Sequence, residues 1–391
     1  MESLTLERSS LKVLHLYSDW KWTGPAEPVL QICKALQERG HDIKIAFRSA
    51  PITYNKTIEQ KADEMGIKKI TRFSLDRHIT ISGIIKDLVI LPYYLLKERP
   101  HILHMHLSHD HVIGTLCAFL IGKRRPLLIR SFHKRSVLKP TLYNKALLKC
   151  TDGYIFFTEG FRRKYISTFG LDPSKTAVQP MTVDLERFDP TKRYKDMRKE
   201  FGIPKHAIVI GTVARFQRYR RIDWFLEAAK RLLEMHDNVY FLLIGRSSQI
   251  KETVIEPIKR LGIEDKVILA GYRTEDYVDS IFCLDIFTLL MPGSDGTARA
   301  LREAMSMGKV CVVSDFGMLP EIVDGGKVAV VVKNKDELAY AWSRLVEDEK
   351  KRKLLGKKAR QYAVKMFDIK RAAQVIEKFY LSLLSKGYED H

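Results

Sequence analysis

Two carboxylates, Asp295 and Glu303, stand eight residues apart in the stretch Met291-Pro-Gly-Ser-Asp-Gly-Thr-Ala-Arg-Ala-Leu-Arg-Glu303. If Asp295 opens a helix, the two attachment points lie roughly 12 Å apart along its axis and about 80° apart in direction. That is too far for a hydrolase pair, whose carboxyls sit about 5 to 9.5 Å apart. It suits one elongated ligand with a hydroxyl-rich group at each end, such as a sugar and a ribose. Between the two ends, the first backbone N–H groups of the helix, at Gly296, Thr297 and Ala298, have no partner within the helix and favour an anion. A sugar diphosphate meets all three demands. The plainer reading makes Asp295 a helix cap and Glu303 a solvated side chain.

The elements that must hold these groups are legible around them. Ile286 to Leu290 reads as a strand, the helix stops at Gly308, and Val310 to Val313 reads as a second strand, giving a βαβ unit with a ligand-sized crevice at the strand ends. The series Asp295-Gly296, Glu303-Ala-Met305, Gly308, Val312-Val313, Gly317 and Glu321-Ile-Val323 closely resembles the donor-site signature of family 4 glycosyltransferases. These are retaining enzymes of the GT-B fold. The resemblance implies that Asp295, in a place usually held by Glu, contacts the donor sugar, and that Glu303 holds the nucleotide ribose. It further implies an α/β protein of two Rossmann-like domains facing a central cleft, with a C-terminal helix crossing back to the N-terminal domain.

Other stretches carry the resemblance further. Ala214-Arg215-Phe-Gln-Arg-Tyr-Arg220 is similar to the family's Gly-Arg-Leu-x-x-x-Lys-Gly, whose cations grip the donor diphosphate; Arg215 matches and Arg220 replaces Lys. Arg can hold two phosphate oxygens at once. Gly271-Tyr-Arg273 falls where the family holds the base, and Gly24 falls in the family's Gly-rich first loop. Near the acceptor, the strand end His104-Met-His106 resembles the family's His-x-His, which puts His106 by the donor sugar, with His109 facing the acceptor. Arg130-Ser-Phe-His133-Lys134-Arg135 resembles its Thr-x-His loop, where Lys134 or Arg135 would meet acceptor phosphates. Four histidines between His104 and His111 invite a metal reading. Their spacing follows a strand-to-loop bend, not one helix face, and no Cys or Glu joins them, so no metal is expected. Trp20 and Trp22 are candidates to border an acceptor sugar.

The 391 residues exceed what one core holds, so two domains are expected. The linker Gln179-Pro-Met-Thr-Val-Asp184 to Pro190 resembles the family's hinge, giving 1–190 as an acceptor-binding domain, 191–367 as a nucleotide-sugar-binding domain and 368–391 as the returning helix. Strand signals at residues 12–17, 43–47, 102–105, 127–130, 153–157 and 177–179 alternate with helical ones, among them a long helix from Thr80 to Arg99 bent at Pro92. Such alternation predicts a parallel sheet. Five scattered cysteines without a C-x-x-C pair read as buried apolar residues of a reducing compartment.

No apolar run reaches the length of a membrane span and the start resembles no signal peptide, which predicts a cytoplasmic chain, peripheral at the inner face of the membrane. Residues 1–200 hold 35 Lys and Arg against 21 Asp and Glu, carrying +14 of the total charge of +20. Nine basic residues and no acidic one lie between Lys123 and Lys149. This predicts an anionic partner, and the basic helix Tyr143 to Cys150 suits an anionic bilayer. The resulting expectation is transfer of a sugar from a nucleotide sugar to a glycan or lipid-linked acceptor, without metal or other cofactor and without nucleic acid. A nucleotide-sugar epimerase or phosphorylase of the same fold is the alternative, and a basic nucleic-acid-binding protein a weaker one.

Overall fold

The computed structural model describes residues 10–22, 26–51, 54, 57–76, 80–133, 136–293 and 298–389. Contacts divide the chain into two units: Met1–Thr182 with Ile369–His391, and Val183–Asp368. The division after Thr182 follows from the core. Val183, Phe188 and Met197 are buried with Phe367, and Val183 N donates to Phe367 O at 3.0 Å.

The first unit is a seven-stranded, all-parallel sheet of β1 (Lys12–Tyr17), β2 (Asp42–Phe47), β3 (Lys68–Ile70), β4 (Ile102–Met105), β5 (Leu127–Ser131), β6 (Gly153–Phe156) and β7 (Thr176–Val178). Its order is β3-β2-β1-β4-β5-β6-β7. The central strands β1, β4, β5 and β6 are buried on both faces, as parallel strands covered by helices must be. One face packs on the helix Ala26–Glu38 and on Ala372, Ile376, Phe379 and Tyr380 of the helix Ile369–Glu389. The other packs on the helices Ile81–Glu98 and Ser108–Ile121 through Leu91, Leu95, Ile113 and Cys117. Pro92 is accommodated inside its helix without ending it.

The second unit is a six-stranded parallel sheet of β8 (Ile208–Arg215), β9 (Val239–Arg246), β10 (Val267–Gly271), β11 (Ile286–Leu289), β12 (Val310–Ser314) and β13 (Val330–Val332), ordered β10-β9-β8-β11-β12-β13. Two glycines are required by close approach. A Cβ on Gly245, whose φ is +148, would sit 1.8 Å from Ala214 O, where β9 crosses the end of β8. A Cβ on Gly356 would lie 2.2 Å from Gly308 O, so the helix Glu349–Met366 can rest directly on the turn that Gly308 makes at φ +68.

Several expectations are corrected. The helix before β12 is Arg299–Ser306, with Ala298 in the left-handed region just before it; Asp295, expected to open this helix, lies outside the described residues. His109 and His111 lie in the helix Ser108–Ile121 and not in a loop. Cys150 is exposed, while the other four cysteines are buried. The basic run is partly structural, since Arg125 pairs with Asp152 and Arg130 is buried beside Asp110. Short β3 and β13 were not among the expected strands. Among the described residues, no helix is long and apolar enough to cross a membrane.

Candidate active site

Each sheet reverses its winding order once, between β1 and β4 in the first unit and between β8 and β11 in the second. Ligands of open α/β sheets collect beyond the strand ends at such points. Chemistry-bearing side chains gather at both.

In the first unit, register places His15 of β1 beside His104 of β4. Their neighbours are His106, just past β4, and His133, past β5; all four are buried. His15 Nδ1 lies 2.9 Å from His106 Nε2, and His106 Nδ1 lies 3.3 Å from His133 Nε2. Burial holds the pKa of His15 and of His133 down to about 3. Burial, and then the neighbouring imidazoles and Arg130, hold that of His106 well below its ordinary value. Neutral rings carry one N–H each. The two hydrogen bonds therefore point the same way along the chain, and flipping one tautomer flips all three. His15 Nε2 and His133 Nδ1, the two ends, have no partner.

His104 is fixed separately, by Ser131 Oγ and by Tyr380 Oη, each at 2.7 Å. Nitrogens of His15, His104 and His106 lie within 4.8 Å of one another, close enough to share an ion. The hydrogen bonds just described occupy most of those nitrogens.

A narrow cavity of about 30 Å³ is lined by His104, His106, His133, Gln179 and Met181. Two buried polar atoms of its lining residues, His133 Nδ1 and Gln179 Oε1, have no partner. His106 has both nitrogens engaged, so His133 is the imidazole with a nitrogen to offer.

Asp110 positions these loops. Its carboxylate accepts from Leu107 N at 2.7 Å, Ser18 N at 3.2 Å and Arg130 Nη1 at 3.4 Å, tying together the ends of β1, β4 and β5. Burial pushes its pKa up to about 7, against the pull of Arg130. His109 stands apart from the histidine chain, near Asp87 and Asp76, with its pKa lowered by burial against their pull. Beyond β1 and β2 opens a separate cavity of about 120 Å³, lined by Asp19, Trp20, Lys21, Arg48 and Asp76. Trp20 is held by Tyr54 at 4.5 Å between ring centroids. Trp22 packs against the core instead.

In the second unit, Glu303 is 2% exposed. It accepts from Tyr277 Oη at 2.5 Å and from Arg299 Nε at 2.6 Å. Burial, and then the Glu303 charge, push the Tyr277 phenol well above its usual pKa. At the ends of β8 and β11, Arg220 is buried and lines a small cavity with Thr212, Arg221, Thr288 and Leu290. Trp342 Nε1 donates to Thr288 Oγ1 at 3.0 Å and locks β11 in place. Arg215 ends β8 and is exposed. Ala298 is buried at φ +47.

Arg273 does not join this group. Its guanidinium binds Ala270 O, Glu200 and Asp276 at 2.6 to 2.9 Å and covers the Phe201 ring. Gly24, Lys134, Arg135, Asp295, Gly296 and Thr297 lie outside the described residues. Sequence reasoning missed His15, Gln179, Ser131, Tyr277 and Tyr380, which reach their places through register or through contacts distant in the chain. Only His15, a lone polar residue inside an apolar strand, carried a signal.

Residues 23–187 match the family described as Glycosyltransferase Family 4, and residues 193–362 match Glycosyl transferases group 1. The UDP-Gal:alpha-D-GlcNAc-diphosphoundecaprenol alpha-1,3-galactosyltransferase of Escherichia coli is 27% identical, covering 96% of this chain and 98% of its own. The N-acetyl-alpha-D-glucosaminyl L-malate synthase of Bacillus anthracis is 21% identical, over 90% and 92%. Among solved structures, a Rickettsia africae glycosyltransferase superposes with a TM-score of 0.80 at 16% identity, covering 96% of this chain and 99% of that one. Anabaena HepE in complex with UDP gives 0.76 at 19%, covering 94% and 99%. These matches favour glycosyl transfer over the epimerase, phosphorylase and nucleic-acid readings. With one family match in each unit and two Rossmann-like units of the GT-B kind, the chain belongs to the family 4 glycosyltransferases.

Proposed function

We propose that this glycosyltransferase moves a sugar from a uridine diphosphate donor to a hydroxyl of a lipid-diphosphate-linked glycan, with retention, as a cytoplasmic protein at an anionic membrane surface. The donor is supported by the UDP-sugar in the name of the Escherichia coli relative and by the UDP bound to HepE. The acceptor is supported by that relative's diphosphoundecaprenol. The membrane is supported by the basic surplus of the first half of the chain.

One observation carries the donor half: a buried carboxylate, Glu303, held by two donors and left with lone pairs for ribose hydroxyls. Arg220 and Arg215 stabilise the charge that develops on the leaving diphosphate, the contribution that matters most in such a transfer. Asp295 meets the donor sugar, and the backbone at Gly296, Thr297 and Ala298 meets phosphate. The phosphate oxygen that leaves takes the acceptor proton on the same face, while the His106–His133 pair hydrogen-bonds substrate, His133 through Nδ1. Trp20, with Asp19, Asp76 and Arg48 about its cavity, offers an acceptor sugar an aromatic face, hydrogen-bond acceptors and a cation. Gly24, His109, Lys134 and Arg135 complete the two substrate sides.

The test is an assay of the full chain with UDP-, GDP- and ADP-sugars and a short-chain polyprenyl-diphosphate glycan, read by mass spectrometry, with the new linkage assigned by NMR. A UDP-sugar-dependent, α-linked product supports the reading. Transfer only from another nucleotide, or inversion, overturns it.

A further inference from the structure

The helix Ile81–Glu98 carries apolar side chains on its outer face as well as its inner one, yet only the inner one is covered. Its inner face sends Leu91, Tyr94 and Leu95 into the core, and its Asp87 accepts from Ser74 N and Leu75 N at 2.6 and 2.8 Å. Its outer face carries Ile81, Ile85, Val89, Tyr93 and Leu96, exposed by 79, 58, 66, 65 and 42%. Steps of four, four, four and three residues keep these side chains on one line of the helix. The helix Ser108–Ile121 packs beside it on the same sheet face and exposes Leu116, Phe119 and Leu120 by 45, 82 and 62%. Contiguous exposed apolar patches of this kind mark interaction surfaces.

The exposed charges around the patch have one sign. Lys86, Lys97 and Arg99 stand on or just after the first helix, and Lys123 and Arg124 follow the second. The acids of these helices are withdrawn: Asp87 and Asp110 are buried, and Glu98 is bound to Lys44 at 2.6 Å. A second apolar protein surface would meet the stripe alone, whereas an anionic bilayer meets both stripe and cations.

Resting on the membrane association proposed above, we infer that the paired helices Ile81–Glu98 and Ser108–Ile121 are the surface that docks on anionic lipid. Val89, Tyr93 and Phe119 enter the headgroup boundary while the lysines and arginines contact phosphates. The helix Leu142–Lys149, with its exposed Leu142, is not the docking element. It is a two-turn helix with little apolar surface besides Leu142 and Tyr143.

The test uses the full chain with vesicles of phosphatidylcholine alone or mixed with phosphatidylglycerol. In a Cys150→Ser background, an environment-sensitive fluorophore is attached at Val89→Cys or at Leu142→Cys. The expected result is a blue shift at position 89 with mixed vesicles only, and none at position 142. In co-sedimentation, Ile85→Asp/Val89→Asp/Phe119→Asp should lower partitioning by about tenfold or more, since three apolar side chains lose their burial. An unchanged melting temperature shows that the variant folds. A shift at position 142 instead, or full binding by the triple variant, overturns this surface while leaving membrane association standing. No sedimentation of the unaltered chain with either vesicle overturns the membrane reading itself. Loss of a dimer in the triple variant, with vesicle binding intact, assigns the stripe to a second copy of the chain and also overturns the proposal.

Discussion

The phenol of Tyr277 donates to Glu303 Oε2 at 2.5 Å, closing off one side of a buried carboxylate whose other oxygen accepts from Arg299. A hydrogen bond to a charged group is worth roughly 1.5 to 3 kcal/mol. Tyr277→Phe should therefore lower stability by about that amount, and by loosening Glu303 should weaken UDP binding about tenfold. Glu303→Ala should weaken it further. Titration calorimetry checks both; undiminished UDP affinity in Glu303→Ala would remove the ribose role.

Arg220 and Arg273 separate by what they touch. Arg220→Ala should cost roughly 100- to 1000-fold in kcat, as loss of a group that stabilises developing charge does elsewhere, with the fold intact. Arg273→Ala should instead lower the melting temperature and leave UDP affinity unchanged, because its guanidinium ties Glu200, Asp276 and Ala270 O together. Steady-state kinetics and thermal denaturation of the two variants decide; the reverse pattern would reassign both.

The buried histidines make the first unit acid-sensitive. His15, His104, His106, His111 and His133 all have folded pKa values lowered by burial, so the unfolded chain binds more protons below about pH 6.5. Their stabilisation is complete above that pH and is lost as pH falls toward about 3, the value for His15 and His133. Asp110, raised to about 7, acts in the opposite sense and offsets one of them. Each ring that must take up a proton on unfolding adds about 1.4 kcal/mol per pH unit to that loss for as long as it stays neutral in the folded chain. Circular dichroism in acid should show the first unit melting before the second. Equal acid sensitivity of the two units would mean that these rings are protonated in the folded state.

Gly245→Ala should destabilise the second unit by about 3 kcal/mol or more, since the new methyl would collide with Ala214 O at a φ that L-residues avoid. Chemical denaturation measures this. A cost below about 1 kcal/mol would mean that the strand ends shift freely.

Much of the fold was legible because parallel strands with apolar runs and glycine stops are local features. The strands at 12–17 and 102–105 and the stop at Gly308 show this. Strand β3, three residues with two lysines, was not legible, whereas β13 lies in the apolar run Val328–Val332 and was overlooked. Of the candidate site, Glu303 and Arg220 stood out as candidates through a pattern contiguous in sequence, and both are buried. The partners that orient such side chains did not stand out, because Tyr277 reaches Glu303 across 26 positions and Tyr380 reaches His104 across 276. Charge was over-read for a related reason. A count of basic residues cannot distinguish Arg130, shut in beside Asp110, from exposed Lys123.

The helix Ile369–Glu389 buries Ala372, Ile376 and Tyr380 against a sheet whose last strand ended at Val178. During synthesis, the ribosome must therefore make all of residues 183–368 before the opening half of the protein can close its own core. The second unit can fold while the first still waits with an open face, reversing the usual order in which domains mature as they emerge.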